Sequence, residues 1–279
     1  MQQATPLGSF TNFAEKKVTM NPQIKTVISR FQQFVVNESS SARQRETPLK
    51  EERLPFVVRL VRNAADLSKA VKIRHAAYAR HLPEFAESLK TPEAMDMEDG
   101  VAILLAESKL DGSPLGTMRI QSNRFRPLCL EQSIELPAWL QKRPLAEATR
   151  LGVTEERVGR LVKTVLFKAY FQYCQQAGIE WMVIAGRSPI DRQYERLLFE
   201  DVYPGRGFIP LQHAGNLPHR VMSFNVQTAE ARWTQANHPL HGFVFETHHP
   251  DILFTNEASA SAKRYTPPPF HILETSYPM

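Results

Sequence analysis

The sequence predicts an α/β fold: a mixed, mostly antiparallel central sheet flanked by helices, with extensions at both ends. Three observations carry that prediction. Apolar strand-like runs alternate with helix-period stretches between Phe56 and Val226. The longest helix-period stretch, Arg157–Ala177, lies between two apolar runs, Ala146–Val153 and Ile179–Ala185. Two other runs are joined only by a turn, at Asp111-Gly-Ser-Pro114, and a hairpin-like pair closes the series.

Residues 1–55 read as peripheral. Ile24, Val27, Ile28, Phe31, Phe34 and Val35 recur at helical spacing, and 37–53 is a polar, charged linker centred on Ser39-Ser-Ser41. The short amphipathic helix packs on its own domain or, alternatively, meets a partner or the membrane surface peripherally. The core follows over 56–227. Phe56–Val61 is a strand. Asp66–Arg80 is a helix with Leu67, Ala70, Val71, Arg74 and Tyr78 near one face. Val101–Glu107 and Leu115–Gln121 are strands, and 123–144 is an insertion with three prolines. Ala146–Val153 is a strand. The long helix is entered at Thr154, carries Glu155 and Glu156 in its first turn, and closes at Gly178. Ile179–Ala185 is a strand and Ile190–Leu198 a short helix, and Phe208–Leu211 with Arg220–Val226 form the closing pair. The tail, 228–279, is rich in His and Pro and is expected to be irregular, wrapping the core.

A chain of 279 residues with 42% hydrophobic residues supports one large domain plus extensions. No apolar run approaches the ~20 residues that cross a membrane. Thr5, Ser9, Thr11 and Glu15 interrupt any basic-then-apolar leader pattern. Cys129 and Cys174 form no metal or redox motif, so a reducing cytoplasm is the expected location. The net charge of +5 favours an acidic partner, although a solvated basic surface explains it equally. The absence of a Lys/Arg block argues against nucleic acid.

The chemistry concentrates in Glu147-Ala-Thr-Arg-Leu-Gly-Val153. A carboxylate and a guanidinium stand three apart on a strand amid small and apolar neighbours. Buried charges are costly unless paired or used. A buried acid on a strand feeding a helix suits proton removal and the steadying of negative charge, both needed for acyl transfer to an amine. Side chains three apart on a regular strand face opposite ways. Glu147 and Arg150 therefore share a site only if the strand is bulged between them, and Gly152 is placed to permit irregular backbone. Arg119 shares its strand face with Thr117 and Gln121. Arg74, amid apolar helix positions, is expected to pair with the acids at 96–99.

Glu-x-x-Arg followed by an apolar strand end, with Arg74 in Ile73-Arg-His-Ala-Ala-Tyr78, the run Asp96-Met-Glu98-Asp99, and Gly116-Thr-Met-Arg119, resembles the acyl-homoserine-lactone synthases and related N-acyl amino acid synthases. Both are acyltransferases of the GNAT fold, and the resemblance spans residues 56–227. It implies Glu147 as catalytic base, with Arg150 holding Glu147, orienting substrate or stabilising charge. It places Arg74, Asp96, Glu98, Asp99, Arg119 and Val153 around the substrate. The implied reaction moves a fatty acyl group from acyl carrier protein, or from CoA, onto an amine such as an amino acid, with no tightly bound cofactor. One alternative is lactone synthesis from S-adenosylmethionine, although the N-terminal Arg, Phe and Trp pattern of those enzymes is missing. Another is a non-catalytic acyl- or partner-binding module.

CoA-dependent relatives carry a Gly-rich, basic turn for a diphosphate. Here the turn reads Val153-Thr-Glu-Glu-Arg-Val-Gly159, with two glutamates and one glycine. That favours a carrier protein, which Arg157, Arg160, Lys163 and Lys168 would meet; an ordinary charged helix face is the plainer reading. His238, His241, His248 and His249 match no compact zinc spacing, so no metal is expected. Cys174 reads as packing, and Ser188 lacks a nucleophile-elbow frame.

Overall fold

The computed structural model describes residues 49–253. In chain order these form β1 (Lys50–Glu51), β2 (Phe56–Leu60), α1 (Ala64–Ala79), α2 (Pro83–Glu87), β3 (Val101–Ser108), β4 (Pro114–Ser122), β5 (Leu145–Val153), α3 (Val158–Gln176), β6 (Trp181–Gly186), α4 (Asp191–Arg196), β7 (Glu200–Asp201), β8 (Ile209–Leu211), β9 (Leu217–Asn225), α5 (Ala229–Gln235), β10 (Thr247–His248) and β11 (Ile252–Leu253). The main sheet runs β11-β2-β3-β4-β5-β6-β9-β7, with β8 paired to β9. Strands β2 to β5 are antiparallel neighbours. β5 and β6 are parallel, because α3 carries the chain back between them. This is the mixed, mostly antiparallel sheet that the alternation predicts.

The two faces of the sheet differ in chemistry. On one, Val162, Leu166 and Tyr170 of α3 pack with Leu104, Met118, Ile120 and Ala146. On the other, Leu67, Ala70 and Val71 of α1 cover Ile103 and Leu105. The 123–144 insertion covers Leu145, Val183 and Val221 with Leu128, Leu130 and Ile134. Polar residues of β4 and β5 occupy the strip between these two apolar clusters.

Local chemistry sets the helix starts. Asn63 caps α1 by accepting a hydrogen bond from the Asp66 amide. The sequence places entry to the long helix at Thr154, but residues 154–157 form a turn and α3 begins at Val158. A Cβ at Gly159 would sit 2.1 Å from the Thr154 carbonyl oxygen, so only glycine lets the chain close this tightly.

The ends of the core differ from expectation. Lys50–Glu51 pairs with Thr247–His248, and the amide of buried Leu54 donates to Asp251 Oδ2 at 2.7 Å, so 50–54 belongs to the fold rather than to a linker. Residues 229–253 are ordered into a helix, a π-helical turn at Gly242–Glu246 and a strand that extends the sheet beside β2. Composition hides this because few residues anchor it: Trp233 stacks on Phe167 with centroids 5.9 Å apart, and Val244 and Ile252 are buried. The stripe over 24–35 and most of the predicted linker lie outside the described residues.

The same segment overturns one docking assignment. Lys168 is 0% exposed, and its Nζ reaches the Phe243 and Thr247 carbonyls and His249 Nδ1, at 2.8, 2.5 and 2.8 Å. Burial lowers its pKa to about 8. Lys168 fastens residues 243–249 onto α3 and takes no part in any docking surface. The other histidines are likewise engaged locally: His238 stacks on Trp233 at 3.8 Å, and His241 Nδ1 lies 3.3 Å from Glu246. Among the described residues no group of three His, Cys, Asp or Glu is placed to hold a metal, and no helix is long and apolar enough to cross a membrane.

Candidate active site

The bulge expected in β5 is present. Arg119 pairs with Thr149 and Thr117 with Gly152, so Arg150 and Leu151 both stand opposite Met118. Arg150 itself takes the left-handed conformation, with φ at 55°. That turn brings its side chain onto the face shared by Glu147 and Thr149. Gly152, expected to supply the irregular backbone, has a different role. Its missing Cβ would meet Ala77 Cβ at 3.0 Å and the Arg74 Cα at 3.2 Å, so it is the point where α1 crosses β5. Gly152→Val is expected to push α1 outward and cost about 1–3 kcal/mol, the usual penalty of overpacking. A urea midpoint equal to wild type would show that the crossing is not tight.

Three guanidiniums and two carboxylates meet on this face. Arg74, fully buried on α1, makes a two-pronged contact to Asp96 at 2.8 and 2.9 Å. Arg119 donates to Thr149 Oγ1 at 3.1 Å and reaches Glu93 Oε2 and Asp96 Oδ1 at 3.1 and 3.2 Å. Arg150 donates to both Glu93 oxygens at 2.7 and 2.6 Å and to the His213 carbonyl at 2.9 Å. Its guanidinium also lies 5.3 Å from the Phe85 ring centre. Burial works against ionising Glu93 and Asp96. Arg150 outweighs it at Glu93 and Arg74 at Asp96, so both carboxyls are held below the ordinary range. Burial likewise opposes the charge of Arg150, and Glu93 more than restores it. Three positive and two negative charges leave this cluster one net positive charge.

Glu147 stands apart from the cluster. The expected Glu147–Arg150 pair does not form, because the bulge aims Arg150 at Glu93. Glu147 is 0% exposed; its Oε2 accepts from the Leu130 amide at 3.1 Å, and its Oε1 has no hydrogen-bond partner. His213 Nε2 lies 3.4 Å from that Oε1. Burial pushes the Glu147 carboxyl up to about 7, against the pull of the Leu130 amide, Arg119 and Arg150. Beside it, Gln121 accepts from the Cys129 amide at 3.1 Å and from its thiol at 3.0 Å. Burial and Glu147 raise that thiol to about 11, which makes Cys129 a packing group rather than a nucleophile.

The sequence-derived site is thus redrawn. Arg74, Asp96, Arg119, Glu147 and Arg150 converge. Glu98 instead pairs with Arg126 at 2.6 Å, and Asp99 is exposed. Val153 packs toward α3 and offers only its carbonyl, to Arg80 at 2.7 Å. Glu93 and His213 carry no motif in the sequence. The parallel β5–β6 ladder ends at Ala148–Ile184, although β5 continues to Val153, so the strands diverge beside Glu147 as the predicted cleft requires. Arg157 and Arg160 are exposed near the start of α3, while Lys163 is half-buried and bonds to Gln193.

No protein-family model and no curated protein matches this sequence. Solved structures do match it. FeeM, an N-acyl amino acid synthase from uncultured soil microbes, aligns over 65% of this chain and 96% of its own, with 19% identity and a TM-score of 0.50. BjaI, a CoA-dependent acyl-homoserine lactone synthase, aligns over 74% of this chain and 99% of its own, with 14% identity and a TM-score of 0.50. The fold is GNAT-like. A GNAT-family protein from Desulfovibrio desulfuricans also aligns, over 61% of this chain, with 14% identity and a TM-score of 0.44. The bulged β5, the diverging β6 and the helix between them form the centre of this GNAT-like fold.

Proposed function

We propose that the chain is an N-acyltransferase, moving a fatty acyl group from the thioester of an acyl carrier protein onto a small amine that carries a carboxylate, such as an amino acid. The observation that carries this reading is Glu147: a fully buried carboxyl, raised to about 7, with one oxygen unpartnered beside diverging strands. A base poised near neutrality holds its proton loosely enough to cycle. Glu147 takes a proton from the amine, the nitrogen attacks the thioester carbon, a C–N bond forms and the C–S bond breaks. The departing thiolate is protonated to the thiol. The bulge at Arg150–Leu151 leaves backbone unpaired next to the reacting carbonyl, where an N–H can meet the oxyanion. The net positive charge around Glu93 and Asp96 suits the acceptor's carboxylate, with Arg119 nearest to Thr149 and the cleft.

The donor reading rests on the turn before α3. Glu155 and Glu156 are exposed there and oppose a diphosphate, while Arg157 and Arg160 face solvent and suit an acidic carrier. Faster reaction is expected with acyl carrier protein than with acyl-CoA of equal chain length. Reversing Arg157 and Arg160 to Glu should weaken the carrier reaction, and its salt dependence, while sparing short thioester analogues. Equal efficiency with CoA, unmoved by salt or charge reversal, refutes a carrier site on this face. The function as a whole is tested by mass spectrometry of lipid extracts from cells expressing the chain. A new N-acyl amino acid supports it, an acyl lactone indicates synthesis from S-adenosylmethionine, and neither product points to a binding module.

A further inference from the structure

We propose that His213 is a positioning residue for Glu147: its neutral imidazole presents Nε2–H to Glu147 Oε1 and holds the carboxylate ready to accept the substrate's proton. His213 sits on the 3₁₀ turn Gln212–Ala214 between β8 and β9, far in sequence from β5. Two features place it. Its carbonyl accepts from Arg150 Nη2 at 2.9 Å, which ties the turn to the guanidinium cluster. Its Nε2 then lies 3.4 Å from Oε1, the carboxylate oxygen that the Leu130 amide leaves free. The distance is at the long end for a hydrogen bond, and catalytic hydrogen bonds commonly tighten when substrate is bound.

The surroundings decide the protonation state. Burial lowers His213 to about 4, with Arg150 on β5, His219 on β9 and Arg119 on β4 adding to the effect. The ring is therefore neutral at working pH and has a single N–H. Nδ1 is buried without a hydrogen-bond partner, and a stranded N–H donor there is costlier than a lone pair. The Cys129 carbonyl also faces the ring, but ionised Glu147 is the stronger acceptor. Both point to the proton on Nε2, directed at Oε1. A donor there favours the charged carboxylate and so offsets part of what burial does to Glu147. Without it, Glu147 keeps its proton to higher pH and is a poorer base near neutrality.

This role rests on Glu147 acting as the base, yet it is measurable without any substrate. The experiment follows the Glu147 carboxyl by NMR in the full chain carrying ¹³C-labelled glutamate, with Glu147→Gln assigning the signal. His213→Leu, which keeps bulk but removes the donor, is expected to raise the Glu147 midpoint by about one pH unit, tenfold in proton affinity. His213→Gln, which restores an N–H near the place of Nε2, is expected to return it to within a few tenths of wild type. If Leu and Gln variants titrate alike, or both as wild type, His213 does not act on Glu147. If the titrations behave as expected but no acyl transfer is found with any donor, the pair stands and the proposed function falls. In an active enzyme, the acid limb of the kcat/KM profile should move with the same midpoint.

Discussion

Replacing Glu147 with Gln is expected to lower acyl transfer roughly 10²–10⁴-fold, the range for losing a general base, and to make the protein more stable above neutral pH. The two effects share one cause. Glu147 is fully buried and its pKa in the fold is about 7, raised from 4.5. Between those values the folded chain holds a proton that the unfolded chain has released. Stability from this group is therefore complete below pH 4.5 and falls as pH rises through 7. Above that the buried charge costs on the order of 3 kcal/mol, from a shift of about 2.5 units. Gln keeps the shape and the acceptor for the Leu130 amide without the charge. Urea melts at pH 5 and pH 8 should show the variant gaining on wild type only at the higher pH. Near-wild-type turnover in the folded variant would remove Glu147 from the chemistry, and a pH-independent difference would mean that its carboxyl is not raised.

Asp96→Ala is expected to be the most destabilising single change in the site, at about 3–5 kcal/mol. Asp96 and Arg74 both have side chains that are 0% exposed. Removing the carboxylate strands a guanidinium whose Nε already lacks a hydrogen-bond partner, and frees the Glu93 amide that Asp96 accepts from. Glu93 remains 3.2 Å from Arg74 Nη1, a single contact in place of a two-pronged one. Replacing both partners, Arg74→Met with Asp96→Leu, should cost less than Asp96→Ala alone, because no buried charge is then left unpaired. Acid should reproduce the single change. The Asp96 pKa is depressed, so its contribution is present above the unfolded value of 3.8 and is lost as pH falls through the folded one. A single variant as stable as wild type would show that Arg74 finds other partners.

The sheet was legible because its strands and helices carry local patterns. The β5 bulge was legible for a different reason: strand parity alone separates Glu147 from Arg150, so any shared face requires an extra residue. What parity does not reveal is which acid Arg150 meets. Glu93 comes from a loop more than fifty residues earlier, and it reaches the site because a 3₁₀ turn at Ala94–Met97 eclipses positions three apart. Glu93 and Asp96 therefore share a face, and Glu98 and Asp99 turn away. Read as a linear run, 96–99 suggested the wrong pair of companions for Asp96. Lys168 misleads in the same way. On a helix of mixed charge it reads as solvated, and only the return of residues 243–249 buries it. His213 carries no local signal, since its position depends on a loop closing over β5. These contacts are tertiary, and periodicity carries no information about them.

The most direct measurement incubates the purified full chain with acyl carrier protein thioester and a panel of amino acids, and counts N-acyl product and free thiol together. One thiol per N-acyl product is expected, at a rate that rises with pH through about 7 and collapses in Glu147→Gln. Thiol release without N-acyl product, or a rate indifferent to Glu147, would contradict an acyltransferase built on this site.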